Sequence, residues 1–378
     1  MLAPGATGEA GDTAVIFDNK KQYLSIGLYD PFSPIKVRVM QHNERCSIDG
    51  DFFSERMRTS IAARDVEGVV PPETNGFRLI NGENDGMPGL VADRYDDTVV
   101  VKIYTSVWLP WMEVVQKTII ETCEPKRIVL LMSRQLQKVP EHVLGGLFHG
   151  KILHGPPLEG QIVFEECGIR FECDPINGQK TGFFLDQRDN RMRVEGMSKG
   201  ARVLNVFSYT GGFSLYAARG GATQVTSVDI SGPAMQAAER NFDLNRGKYS
   251  SVRQCRHTPV AQDAFEYMRE AARSGEVFDV VIVDPPSMAN KAALREVAIK
   301  RYNELASLAV KLVKRGGTVV LASCSSRVSD QQFFDACTEG AQRGGRPLRG
   351  AVRTGHAADH PVRFDEGSYL KCMFAEVP

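Results

Sequence analysis

RVLNVFSYTGGFSLYAARGGATQVTSVDI, residues 202–230, joins an apolar run, a turn with paired glycines, an alanine-rich helical stretch and a second apolar run closing on Asp229. Neither apolar run alternates with polar residues, so each reads as a strand covered on both faces. Strands of that kind, separated by helical segments, form a parallel sheet in an α/β fold. Two more runs follow, VFDVVIVD (277–284) and GTVVLAS (317–323), and PAMQAAERNFDLNR (233–246), AFEYMREAAR (264–273) and NELASLAVKLVKR (303–315) have helical periodicity between them. Strand and helix alternate across the C-terminal half, which predicts a doubly wound, mostly parallel sheet.

Upstream the pattern changes. TAVIFD, YLSIGLY and IKVRVM, within residues 13–40, alternate around the polar turn Asn19-Lys20-Lys21 and predict a small β unit. DFFSERMRTSIAARDVEG (51–68) predicts a helix with Asp51 as N-cap. The stretch from Asn75 to Thr105, punctuated by Gly76, Gly82, Gly86 and Gly89, predicts a loop before a Val-rich strand. A helix over 111–123 and a buried strand, RIVLLM (127–132), come next, then two strands from about residue 160 and a polar loop. We expect three domains, 1–45, 46–175 and 176–378.

Composition narrows the class. Of the 378 residues 42% are hydrophobic and 24% charged, which is globular, and no apolar run approaches a bilayer span of roughly 20 residues. The opening MLAPGATGEAGDT has the pattern of neither a secretory signal nor a transit peptide. A cytoplasmic protein is expected, with an organelle left open were a transit peptide to precede this sequence. The eight cysteines include no C-x-x-C pair, which predicts reduced thiols and no metal site. Forty-six basic residues balance 46 acidic ones, so an RNA partner would need clustered basic residues.

In an open parallel sheet, ligands bind beyond the carboxyl ends of the strands. After the run ending at Val206 stand Phe207, Ser208, Tyr209, Thr210, Gly211 and Gly212, where paired glycines allow close approach to a ligand. After the next run come Asp229 and Ile230, with Asp229 spaced to chelate a ribose diol. Asp263 precedes Ala264 where a carboxylate suits an adenine amino group, and Asp284-Pro285-Pro286 closes another strand. A tight turn explains Gly211-Gly212 alone, and a helix N-cap explains Asp229 alone. All of them in strand-end order point to a nucleoside cofactor. The dinucleotide fingerprint needs a third glycine that is absent here, and a D-P-P turn has no part in hydride transfer, so S-adenosylmethionine is the expected cofactor.

Ser323-Cys324-Ser325-Ser326 ends the last apolar run. Carbon 5 of a pyrimidine is too weak a nucleophile to accept a methyl group unaided. A thiolate adding to carbon 6 activates it, while an acid such as Asp284 stabilises the charge developing on the ring. Cys324 as a small buried residue remains the plainer reading of the cysteine on its own.

The segments GQKTGFFLDQRDNR (178–191), LNVFSYTGGFSLYA (204–217), VDPPS (283–287), ASCSS (322–326), ADHPVRFDEGSYLK (358–371) and INGENDGMPGLVADRY (80–95) resemble the ribosomal large subunit methyltransferase I family, S-adenosylmethionine-dependent enzymes that make 5-methylcytosine in large-subunit rRNA. The resemblance runs from about residue 10 to the end. It implies a Rossmann-like class I methyltransferase domain, a smaller α/β middle domain and an N-terminal PUA-like unit, here truncated. It implies Cys324 and Asp284 as catalytic residues. It sets Gln187 and Arg188 against the cofactor, and Lys180, Phe183, Pro285 and Pro286 against the RNA base, with Asp186 in the same loop. His360 reads either as a base near the substrate or as a turn histidine. Ser287 stands where the family often has lysine, and no second cysteine lies beside the D-P-P turn, so another base must remove the C5 proton. The expected partner is rRNA or the large ribosomal subunit, with no membrane, no metal and a homodimer left open. Trp108 and Trp111 read as core. Two other readings remain: an amino-group methyltransferase on a nucleobase or protein, for which Ser287 lacks the expected aromatic residue, and a catalytically silent RNA-binding scaffold.

Overall fold

The computed structural model describes residues 7–289 and 291–378, so the first six residues of the opening quoted above lie outside it. By their contacts the residues fall into two compact units. One comprises Met1–Gly168, Cys173–Leu185 and Ala358–Arg363, the other Ile169–Glu172, Asp186–Ala357 and Phe364–Pro378.

In the first unit, Thr13–Phe17, Tyr23–Tyr29 and Val37–His42 form a three-stranded antiparallel sheet in chain order. Five more strands, Gly76–Asn81, Leu90–Tyr95, Thr98–Ile103, Arg127–Met132 and Lys151–His154, form a second sheet, also in chain order. Its one parallel pair, Thr98–Ile103 with Arg127–Met132, is joined through the helix Met112–Cys123, as a parallel connection requires. Two expectations are corrected here. The glycine-punctuated stretch leaves the sheet between its first two strands only over 82–89, which opens on the turn Gly82–Asp85. Gly76 lies within a strand, paired with Tyr95, and is glycine there because an added Cβ would sit 2.1 Å from the Phe164 ring. The first helix is Gly50–Ala62, capped by Asp49 and not by Asp51: the Asp49 backbone is extended and its carboxylate accepts from the Phe52 amide.

The second unit is built on a seven-stranded sheet. In chain order its strands are β1 (Arg202–Val206), β2 (Gln224–Asp229), β3 (Arg256–Ala261), β4 (Phe278–Val283), β5 (Val313–Ser323), β6 (Arg349–Thr354) and β7 (Lys371–Val377). Their spatial order is β3-β2-β1-β4-β5-β7-β6, parallel from β3 to β5, with β7 antiparallel to both neighbours. Helices Gly212–Arg219, Gly232–Arg246, Ala264–Arg273, Arg295–Leu312 and Asp330–Arg343 follow successive strands and cover the sheet. The strand switch expected after Arg315 comes earlier, since β5 begins at Val313. Leu204 and Val206 of β1, Val281 and Val283 of β4, and Val319 and Leu321 of β5 share one buried cluster with the helices over it. No helix among the described residues is long and apolar enough to cross a membrane.

Two packing sites generate tests. Trp108 is fully buried in the first unit, with its indole N–H donating to the Pro88 carbonyl at 2.9 Å and its ring 5.0 Å from that of Phe53. Trp108→Ala should cost about 3–5 kcal/mol of stability, read as a lower melting temperature. An unchanged Tm would contradict that. On β3, His257 stacks flat on Phe242 at 3.8 Å, its Nε2 2.9 Å from the Ser227 hydroxyl, and burial pushes its pKa from 6.5 down to about 4. The unfolded chain therefore takes up a proton before the folded one, and stability should fall as pH drops from about 6.5 to 4. Urea midpoints measured against pH should lose part of this slope in His257→Gln, and an unaltered slope would contradict the assignment.

Candidate active site

Parallel register sets the strand ends of the second unit level with one another. Val206 of β1 pairs with Val283 of β4, and Val283 pairs with Leu321 of β5. The residues that follow, Phe207, Asp284 and the Ala322–Cys324 segment, therefore emerge at one edge of the sheet.

The turn after β1 is contorted. Phe207, Tyr209 and Gly211 all have left-handed backbones, with φ of 59°, 47° and 79°. Two of these are not glycine, a strain that folds retain where function uses it. At Gly211 a Cβ would also lie 3.0 Å from that of Ala238, so the glycine meets both a conformational and a packing demand. Gly211 caps the helix that begins at Gly212. Ser208 is buried, and its amide donates to the Val228 carbonyl, which ties the turn to β2. The hydroxyl of Thr210 is buried with no hydrogen-bond partner among the described residues.

Asp229 is not the cap of the helix after β2; Ser231 is, its hydroxyl accepting from the Ala234 amide. The Asp229 carboxylate instead bridges the turns after β1 and β2, accepting from the Tyr209 amide at 2.9 Å and the Ser231 amide at 3.0 Å. Each oxygen keeps a lone pair, enough to accept from a diol. Ile230 beside it is 76% exposed, a large apolar side chain at the strand end. Asp263 caps the helix Ala264–Arg273 through the Glu266 amide, and Ala264 is buried. A strained glycine turn, a clamped carboxylate, an unsatisfied buried hydroxyl and an exposed apolar side chain suit a nucleoside bearing a ribose diol.

At the neighbouring strand ends, Asp284 is half-buried, Pro285 buried and Pro286 exposed. Gln187 donates to the Asp284 carboxylate at 3.0 Å and accepts from Asn190 at 2.6 Å. Arg188 is fully buried. The Asp186 carboxylate accepts from the Tyr369 hydroxyl at 2.7 Å. Cys324 follows β5 directly, half-buried, with its sulfur 3.9 Å from the Pro285 carbonyl oxygen. Cys324, Asp284 and Gln187 thus lie around one turn.

Lys180, Phe183 and His360 belong to the first unit. Lys180 has a left-handed backbone, its carbonyl accepts from Lys102, and its ammonium lies 4.6 Å from the Phe184 ring centroid. Phe183 is buried against Phe164 and fills core there. His360 is buried with Nδ1 3.1 Å from Asp359, whose other carboxylate oxygen accepts from the Arg78 amide. Among the described residues no cluster could hold a metal ion.

Sequence reasoning missed the hydroxyl network behind the cysteine. Ser323 donates to the Tyr302 hydroxyl at 2.8 Å, which lies 2.7 Å from that of Ser325. The Ser325 hydroxyl accepts from the Met288 amide at 3.0 Å and lies 3.3 Å from the Ser287 hydroxyl. The network fastens the Cys324 segment to the D-P-P turn. Three serines around one cysteine were the available signal.

Residues 127–342 match the model of a family described as S-adenosylmethionine-dependent methyltransferase. A Deinococcus radiodurans protein named ribosomal RNA large subunit methyltransferase is 43% identical over 375 residues, covering 98% of this chain and 90% of its own. The ribosomal RNA large subunit methyltransferase I of Pseudoalteromonas translucida is 33% identical, covering 97% and 91%. Among solved structures SMU.776, whose name describes a methyltransferase complexed with SAH, superposes with a TM-score of 0.81 at 21% identity, covering 99% of this chain and 93% of its own. That last likeness supports the fold.

Asp229→Ala should weaken SAH binding by about 1–3 kcal/mol, the cost of losing a charged hydrogen-bond partner. Calorimetry on variant and wild type checks this, and equal affinities would remove Asp229 from the cofactor site.

Proposed function

The chain belongs to the S-adenosylmethionine-dependent methyltransferases, in the family of the ribosomal RNA large subunit methyltransferases, and on that premise we propose that it forms 5-methylcytosine in large-subunit rRNA through covalent attack by Cys324. The observation that carries the reading is the Cys324 sulfur 3.9 Å from the Pro285 carbonyl, with the Asp284 carboxylate on the same turn. On this reading the enzyme works in the cytoplasm, where its RNA is.

The cofactor is S-adenosylmethionine, which when bound supplies an electrophilic methyl group on a positively charged sulfur. Residues 207–212, Asp229, Ile230, Asp263 and Ala264 would hold it, with Asp229 placed to accept from the ribose hydroxyls. Gln187 positions Asp284. The target cytosine lies against Pro285 and Pro286. The Cys324 thiolate adds to carbon 6, and the displaced π electrons raise the electron density at carbon 5 and on the N3–O2 side of the ring. The cycle requires Asp284 to enter carrying a proton, which it donates to N3 and so stabilises that charge. Once carbon 5 carries the new methyl group, a base from solvent removes the carbon 5 proton. The C5–C6 double bond re-forms, the bond to sulfur breaks, and N3 returns its proton to Asp284, leaving the thiolate ready for another cycle. Ser287, held beside Ser325, presents no aromatic face for a target amino group, which favours the carbon-methylating reading.

Cys324→Ser should lower turnover by on the order of 10³ or more while leaving SAH affinity unchanged, because the thiol acts on the base. RNA with 5-fluorocytosine at the target should trap a covalent adduct on denaturing gels, since fluorine does not leave as a proton does. Full methylation by Cys324→Ser would overturn the covalent mechanism and favour amino-group methylation.

A further inference from the structure

Strand β7 begins with a lysine where a lysine is costly. Lys371 is 2% exposed and pairs with Ser323 across the β5–β7 ladder. Its ammonium donates to the Ser325 carbonyl at 2.9 Å and to the Tyr369 carbonyl at 3.3 Å. Both acceptors are neutral. Burying an ammonium on neutral acceptors is unfavourable unless its field or its hydrogen bonds are used. The residue between Ser323 and Ser325, the two to which Lys371 is tied, is Cys324.

We propose that Lys371 is a positioning residue for methyl transfer: its buried ammonium fixes the Ser325 carbonyl and stabilises Cys324 as the thiolate. The proposal rests on the reading of Cys324 as nucleophile. A cation beside a thiol favours the reactive thiolate. The ammonium is itself anchored, because Ser325 is gripped by Tyr302 and Met288 as well as by Lys371. Burial lowers the Lys371 pKa from its ordinary value, while Asp330, and Cys324 when ionised, pull it back up. The coupling is mutual: what Cys324 does for the ammonium, the ammonium does for Cys324.

The test separates charge from hydrogen bonding. Lys371→Gln keeps donors without charge, and Lys371→Met removes both. Alkylation of Cys324 by iodoacetamide, followed against pH by mass spectrometry of its peptide, reads the thiolate directly. In the wild type the midpoint should lie below the ordinary thiol value of about 8.5. In both variants it should rise by about one unit or more, with turnover at neutral pH down about tenfold and SAH affinity unchanged. A wild-type midpoint at or above the ordinary value would overturn the proposal, and that measurement decides even if neither variant folds. Unshifted midpoints in folded variants would overturn it equally. A fully active Cys324→Ser would sink the nucleophile reading beneath it. An inactive Cys324→Ser beside an unshifted Lys371→Gln would sink the lysine role alone.

Discussion

Everything proposed for this chain depends on the parallel pairing of β1 with β4 and of β4 with β5. Register across these pairs sets Phe207, Asp284 and the Cys324 segment at one edge of the sheet. The apolar side chains between them, from Leu204 to Leu321, are buried with the covering helices, so packing fixes the register over the whole length of the strands. A slip of one residue in a half-buried strand turns its side chains over. In a strand buried on both faces, a slip would also move every strand-end residue off the edge where the chemistry is read.

Local devices then refine what the register sets. Backbone strain in the turn after β1, two backbone amides clamped by Asp229, and the hydroxyl network from Ser323 to Ser287 each remove freedom from one part of the edge. They differ in kind. The first fixes an unusual backbone path. The second orients a carboxylate. The third joins the D-P-P turn to the Cys324 segment through neutral hydroxyls, and Lys371 holds the Ser325 carbonyl of that segment. A site assembled from three such devices tolerates little rearrangement, as the covalent addition proposed for Cys324 would demand.

The sheet of the second unit was legible because parallel strands covered on both faces are continuous apolar runs, and β1, β2 and β4 coincide closely with those runs. The stretch around Gly76 was not legible. A glycine required by the Phe164 ring resembles a glycine required by a turn, and only the fold tells them apart. Asp49 and Asp51 both suit an N-cap by type, and the extended backbone of Asp49 decides between them. At the candidate site, strand-end order singled out Asp229, Asp284 and Cys324, and each does lie at the end of a strand of the parallel sheet. Lys371 stayed hidden because lysine is almost always exposed, and no pattern in KCMFAEV marks this one as buried. Phe183, set against the RNA base by resemblance alone, has its ring buried against Phe164, a packing that its place in a polar loop does not announce.

The identity of the product tests the central claim most directly. Large-subunit rRNA incubated with the full chain and S-adenosylmethionine carrying an isotopic methyl label can be digested to nucleosides and separated. The account predicts the label in 5-methylcytidine. Label in a nucleoside methylated on nitrogen, with none in 5-methylcytidine, would contradict it.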